Sequence, residues 1–151
     1  MKKEMGIEGV GPKIMVPAAI SLIIAYFLDK NYHSRFIIAN DDGLIRTFAI
    51  IIFVIGLAMW LWTVVLLLVN FPKDKLITTG PYAIFLHPLY NSFSFFILPA
   101  LALYLNSWIY LLAPIVLFLA TQILGKNEEA YLSETFGSGY FSYRKNVWLK
   151  L

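Results

Sequence analysis

The sequence predicts an all-α fold: an integral membrane bundle of four transmembrane helices, with a C-terminal helical hairpin and a cytoplasmic amphipathic tail. Three observations predict it. Of 151 residues, 60% are hydrophobic and only 14% charged, too little charge to cover a water-soluble domain of this length. The apolar residues gather into uncharged runs, and Leu76 to Gly125 contains no Asp, Glu, Lys or Arg. The basic residues fall unevenly on the segments between those runs. The length suits a single membrane domain, residues 1–151, with no second core.

The first run, residues 14–28, gives about 22 Å of helix, short for a span. It can begin earlier, near Val10, with Lys13 snorkelling to the interface. Leu28 is followed by Asp29-Lys30-Asn31-Tyr32 rather than by small residues, so a retained anchor is expected in place of a cleaved signal. The second run, residues 47–69, gives about 34 Å, enough for a bilayer core of about 30 Å. Next, Thr78-Thr79-Gly80-Pro81 reads as a turn and Pro88 as a break. Beyond Pro88, residues 89–105 and 107–124 read as two helices joined at Asn106, a tight hairpin within the membrane. Pro99 and Pro114 fall inside these helices, where packed neighbours tolerate kinks.

Four spans put Lys2, Lys3, Lys13, Lys73, Lys75, Lys126, Arg144, Lys145 and Lys150 on one side. Only Lys30, Arg35 and Arg46 lie opposite, beside Asp29, Asp41 and Asp42. The positive-inside rule then expects both termini in the cytoplasm, together with the loop before Pro88. No nucleic-acid footprint is present, because the basic residues are scattered between apolar runs. Cysteine is absent, which removes disulfides and thiolate chemistry. No paired-histidine metal site is visible, and no metal is expected; His33 falls in the opposite loop and reads as solvated.

Three polar clusters share the expected cytoplasmic side. The first is Gly80-Pro81-Tyr82 followed by His87-Pro88-Leu89-Tyr90, which reads as an interfacial turn with belt tyrosines or as a pocket wall. The second, Glu128-Glu129, reads as ordinary charged flanking or as acceptors for a ribose diol or a ligand ammonium. The third is Phe136-Gly137 with Tyr140, Tyr143 and Arg144. There Gly137 stops a helix and the tyrosines lie one turn apart on a short amphipathic segment.

Taken in this order, with a hairpin between the first two, the clusters resemble the isoprenylcysteine carboxyl methyltransferase and phospholipid methyltransferase superfamily. Its pattern runs Gly-Pro-Tyr, Arg-His-Pro-x-Tyr, a transmembrane hairpin, Glu-Glu, then Phe-Gly-x-x-Tyr-x-x-Tyr-basic. The resemblance covers roughly the C-terminal half, from about Lys75 to Lys145. It implies an S-adenosylmethionine pocket made by residues 76–90 and 126–146. The cofactor-binding residues would be Gly80, Pro81, Tyr82, His87, Pro88, Tyr90, Glu128, Glu129, Tyr140 and Tyr143. It further implies methyl transfer to a lipophilic acceptor entering from the bilayer, an isoprenylcysteine-like carboxylate or a phospholipid-like group. Arg144 is the candidate to position that acceptor.

Two positions depart from the pattern. Leu86 stands where it has Arg, and Val147-Trp148-Leu149 where it often closes with Val-Pro-Arg. Both remove guanidinium groups, the side chains suited to bidentate carboxylate binding. An uncharged or amine acceptor, a cation at another position, and lost activity all remain open. So do two other readings, a nicotinamide-dependent membrane reductase and a non-catalytic membrane protein that binds lipid or a partner. No small-residue motif specifies an oligomer.

Overall fold

The computed structural model describes residues 11–70 and 75–150. Lys2, Lys3 and Lys73 of the charge argument, and a first-span start near Val10, lie outside the described residues. Within them run α1 (Gly11–Tyr32), α2 (Gly43–Asn70), α3 (Pro81–Ile84), α4 (Pro88–Ser92), α5 (Leu98–Tyr104), α6 (Leu112–Phe136) and α7 (Ser138–Asn146). A π-helical turn, Phe93–Ile97, joins α4 to α5, so Pro88–Tyr104 form one apolar rod. Short 3-10 turns lie at His33–Arg35 and Trp108–Leu111.

Three helices, Gly11–Arg35, Gly43–Asn70 and Trp108–Phe136, are long and apolar enough to cross a membrane, and the rod is a shorter apolar helix. The 22 residues of α1 and 28 of α2 rise about 33 Å and 42 Å, against about 30 Å of hydrocarbon. The rod rises about 26 Å. Each expected run lies, to within a residue, on one of these helices, and Gly11–Arg35, Gly43–Asn70 and Trp108–Phe136 outrun their apolar stretches. Most consequentially, α6 continues unbroken past Leu124 to Phe136, so Glu128 and Glu129 ride on the helix of the fourth run.

The prolines fall inside the helices Pro88–Tyr104 and Trp108–Phe136, as expected. Pro99 sits in the first turn of α5, and just ahead of it the Leu98 N–H reaches back to the Phe93 carbonyl. That wider i→i−5 turn accommodates the N–H that proline lacks. Pro114 sits in the first turn of α6, where a missing donor costs little.

The rod and α6 form the central hairpin, with α1 packed along α6 and α2 along the rod. Asn106, the expected joint, has φ +52° and clamps the hairpin to the α1–α2 loop. Its Oδ1 accepts from the Ala39 N–H at 3.1 Å and its Nδ2 donates to the Ala39 carbonyl at 2.8 Å. Nearby, Ser107 Oγ donates to Asp29 Oδ1 at 2.6 Å. His33 is not simply solvated: its Nδ1 lies 2.9 Å from the same Asp29 oxygen.

Along α2 only Ala49, Gly56 and Thr63 are buried, one residue every seven. This is the stripe that faces the rod, and a Cβ at Gly56 would lie 2.5 Å from that of Phe96. Most other large side chains on α2, including Phe48, Trp62 and Leu68, are exposed, as are Val16, Ile20 and Phe27 on α1. Apolar surface of this extent is tolerated where the surroundings are lipid. The interior is built where helices converge: Ile14, Ala18, Tyr90, Leu98, Ala113 and Leu117 form its centre. Leu86, Tyr140, Tyr143 and Val147 form a separate cluster between the tail and the Pro81–Pro88 loop.

Candidate functional site

Gly125, Glu128 and Glu129 stand at i, i+3 and i+4 on α6, so they share one helical face. His87, the residue before α4, lays its ring on that face. Its Nδ1 is 3.5 Å from Glu128 Oε2 and its Nε2 is 3.6 Å from Glu129 Oε1. These separations are ion-pair distances, longer than a tight hydrogen bond. Gly125 makes the approach possible, since a Cβ there would lie 2.9 Å from His87 Nε2.

The remaining acceptor positions of the acid pair are also met. Tyr90, one turn into α4, donates its hydroxyl to Glu128 Oε1 at 2.9 Å. Tyr140 of α7 donates to Glu129 Oε2 at 3.2 Å, and an Arg144 guanidinium nitrogen lies 3.1 Å from the same oxygen. Gly137, with φ +51°, ends α6 and turns the chain so that α7 folds back along it. That reversal brings Tyr140 to a carboxylate only eleven residues earlier. Six expected residues thus meet: His87, Tyr90, Glu128, Glu129, Tyr140 and Arg144.

A second set of contacts shuts the tail on the loop. Tyr143 does not reach the carboxylates; its hydroxyl donates to the Tyr82 carbonyl at 2.9 Å. Trp148 N–H donates to the Ala83 carbonyl at 3.2 Å, Leu149 N–H to Ile84 at 2.8 Å, and Leu86 N–H to Leu149 at 3.3 Å. Gly80, Pro81 and Pro88 shape backbone. Gly80, φ +62°, starts α3 against Trp62 and Leu66 of α2, where any side chain would collide. Pro81 and Pro88 open α3 and α4 at the position that suits proline.

The electrostatics follow from burial between carboxylates. Burial alone would push the His87 imidazolium down, but hydrogen bonding and attraction from Glu128 and Glu129 together outweigh it. The ring is therefore held above its ordinary value. Burial, then the charge of Glu128, pushes the Tyr82 phenol up to about 12. Burial and Glu129 likewise raise Tyr140, and burial with Tyr82 raises Tyr143. All three phenols stay protonated near neutrality, and those of Tyr140 and Tyr143 act as donors.

Gly125 is the site residue that pattern reading missed. Its signal was present, since a glycine inside a helix costs stability and needs a packing reason. Leu86, marked in the sequence only as a departure from the pattern, is 7% exposed, packs with Tyr140, Tyr143 and Val147 and roots the tail. Among the described residues no cluster of three or more His, Cys, Asp or Glu could hold a metal ion. Comparison of the chain with protein-family models, with curated proteins and with solved structures gives no match in any of the three.

Proposed function

We propose that this chain is an S-adenosylmethionine-dependent methyltransferase acting on a lipophilic acceptor at the cytoplasmic face of a membrane. In this reading the rod Pro88–Tyr104 is a fourth span and both termini are cytoplasmic, as the basic residues favour. The observation that carries it is the meeting of His87, Tyr90, Glu128, Glu129, Tyr140 and Arg144 at one end of an apolar bundle. These are residues that the methyltransferase resemblance singles out, drawn from three separate segments.

The donor set suits the cofactor. Glu128 and Glu129 are acceptors for a ribose diol or an α-ammonium group. The rings of Tyr82, Tyr90 and Tyr140 present faces that attract a sulfonium cation. His87 and Arg144 supply the donors that a cofactor carboxylate needs. When bound, the cofactor supplies an electrophilic methyl group. The work left to the chain is to hold it, align the acceptor and keep water out. The tail fits the last task, since Tyr143, Trp148 and Leu149 fasten it over the loop.

Charge balance bears on the acceptor. Both cations of the cluster already face carboxylates, His87 both of them and Arg144 Glu129. A carboxylate acceptor would have to take a cation from these pairs, and an ammonium acceptor would have to take a carboxylate from the same pairs. The balanced cluster leaves both acceptor classes to the test.

The test is methyl transfer itself. Chain reconstituted in bilayers is supplied with methyl-labelled cofactor and a mixed lipid extract, and label is followed into the lipid phase. Label in a lipid acceptor, lost in Glu128→Gln, supports the reading and its headgroup identifies the acceptor class; no label from folded protein counts against it. The mutual saturation of the cluster's polar atoms is also what a non-catalytic membrane protein would have, and that protein would bind no cofactor.

A further inference from the structure

We propose that the outward face of α7 and the segment after it is a docking surface for the anionic headgroups of leaflet phospholipids. The inward face of this segment is spoken for: Tyr140, Tyr143 and Val147 are buried against the loop and α6. The outward face carries Phe141, Arg144 and Lys145 at i, i+3 and i+4, continued by Trp148 at i+7. Phe141 is 62% exposed and Trp148 78%, large apolar rings that lie mostly open. Phe141, Arg144, Lys145 and Lys150 line a shallow depression of about 320 Å³, and none of these lining residues is acidic.

The chemistry of this face names its occupant. Three cations around a shallow dish complement phosphate, and two exposed aromatics beside them match the headgroup layer, where ring and charge are solvated together. Its level in the fold agrees. Because α7 folds back, Trp148 hydrogen-bonds to Ala83, a few residues before the apolar rod begins at Pro88. The patch therefore lies near the ends of the apolar helices rather than far out in water. Arg144 belongs to both surfaces, with one nitrogen on Glu129 and its side chain still 49% exposed. Headgroup binding on the outer face presses the tail onto the cluster beneath, whatever that cluster binds.

The chain contains no cysteine, so Ser142→Cys, an exposed position bordering the patch, accepts a single nitroxide label. The full chain is reconstituted in phosphatidylcholine bilayers, with or without about one-third phosphatidylglycerol. The expected result is a loss of label mobility in the anionic bilayer, reversed by about 0.5 M salt. A lysine beside such a surface contributes roughly fivefold in partitioning, so Lys145→Glu/Lys150→Glu should abolish the lipid dependence. The milder Lys145→Gln/Lys150→Gln pair should weaken it without disturbing the fold. Equal mobility in both bilayers overturns the proposal, as does a lipid effect that survives charge reversal. Immobilisation by inorganic phosphate in neutral bilayers also overturns it, identifying a site for free phosphate instead.

Discussion

The backbone N–H of Leu86 donates to the carbonyl of Leu149 at 3.3 Å, joining the two positions where the methyltransferase pattern resembled here carries arginine. The two departures are therefore neighbours in space. Leu86 is buried beneath the tail, and Trp148, where that pattern has proline, donates to Ala83 a bond that proline has no N–H to make. An apolar, hydrogen-bonded clamp joins the loop to the tail at these positions.

Trp148→Pro should release that clamp. Losing one partly covered backbone bond costs about 0.5–1.5 kcal/mol. The expected outcome is faster amide exchange at Leu86 and Leu149, with exchange along α2 unchanged. Unchanged exchange at both residues would show that the tail is held by Tyr143 and Val147 alone.

Two glycine substitutions should move stability in opposite directions. Gly139 lies in α7 with nothing within 4 Å of an added Cβ, so Gly139→Ala should stabilise by about 0.5–1 kcal/mol. Gly125→Ala gains the same helical preference but drives a methyl group into the His87 ring. It should destabilise by about 1–3 kcal/mol, the range for overpacking. Denaturation of both variants in the same detergent checks the pair; a stabilised Gly125→Ala would mean that the ring moves freely.

The pH dependence follows from His87. Its folded value is raised above the ordinary 6.5, so the stabilisation from its charge is fully present below that value. It is lost as pH climbs through the raised folded value. Stability measured upward from about pH 6.5 should therefore decline, and His87→Gln should remove that part of the decline. A slope of the opposite sign would mean that burial, not the two carboxylates, governs the ring.

Asn106→Ala tests the far end of the hairpin. The substitution removes both bonds to Ala39 and places alanine at φ +52°, where a side chain is strained. A loss of about 1–3 kcal/mol is expected. Asn106→Gly relieves the strain but restores neither bond, so it should recover only part of that loss.

The helices were legible because lipid exposure leaves long uncharged runs, and the hairpin joint was legible because Asn tolerates positive φ. Gly137 was legible as the stop of the helix carrying Glu128 and Glu129; that this helix runs on unbroken from the fourth apolar run was not. Pro99 and Pro114 lie inside the third and fourth helices as read, but the π turn ahead of Pro99 leaves no mark in composition. Of the candidate site, the residue types and their order were visible. The division between Tyr140, on Glu129, and Tyr143, on a backbone carbonyl, was not, because it depends on how α7 folds back. Gly125 carries no chemistry of its own, so pattern reading passed over a residue whose work is to make room for the His87 ring.

The most direct measurement is a calorimetric titration of the detergent-purified chain with S-adenosylmethionine and its demethylated product. The account predicts saturable binding of both, lost in Glu128→Ala while the variant keeps its helical content. No binding by folded protein up to about millimolar ligand, where affinity falls to about 4 kcal/mol, would contradict it.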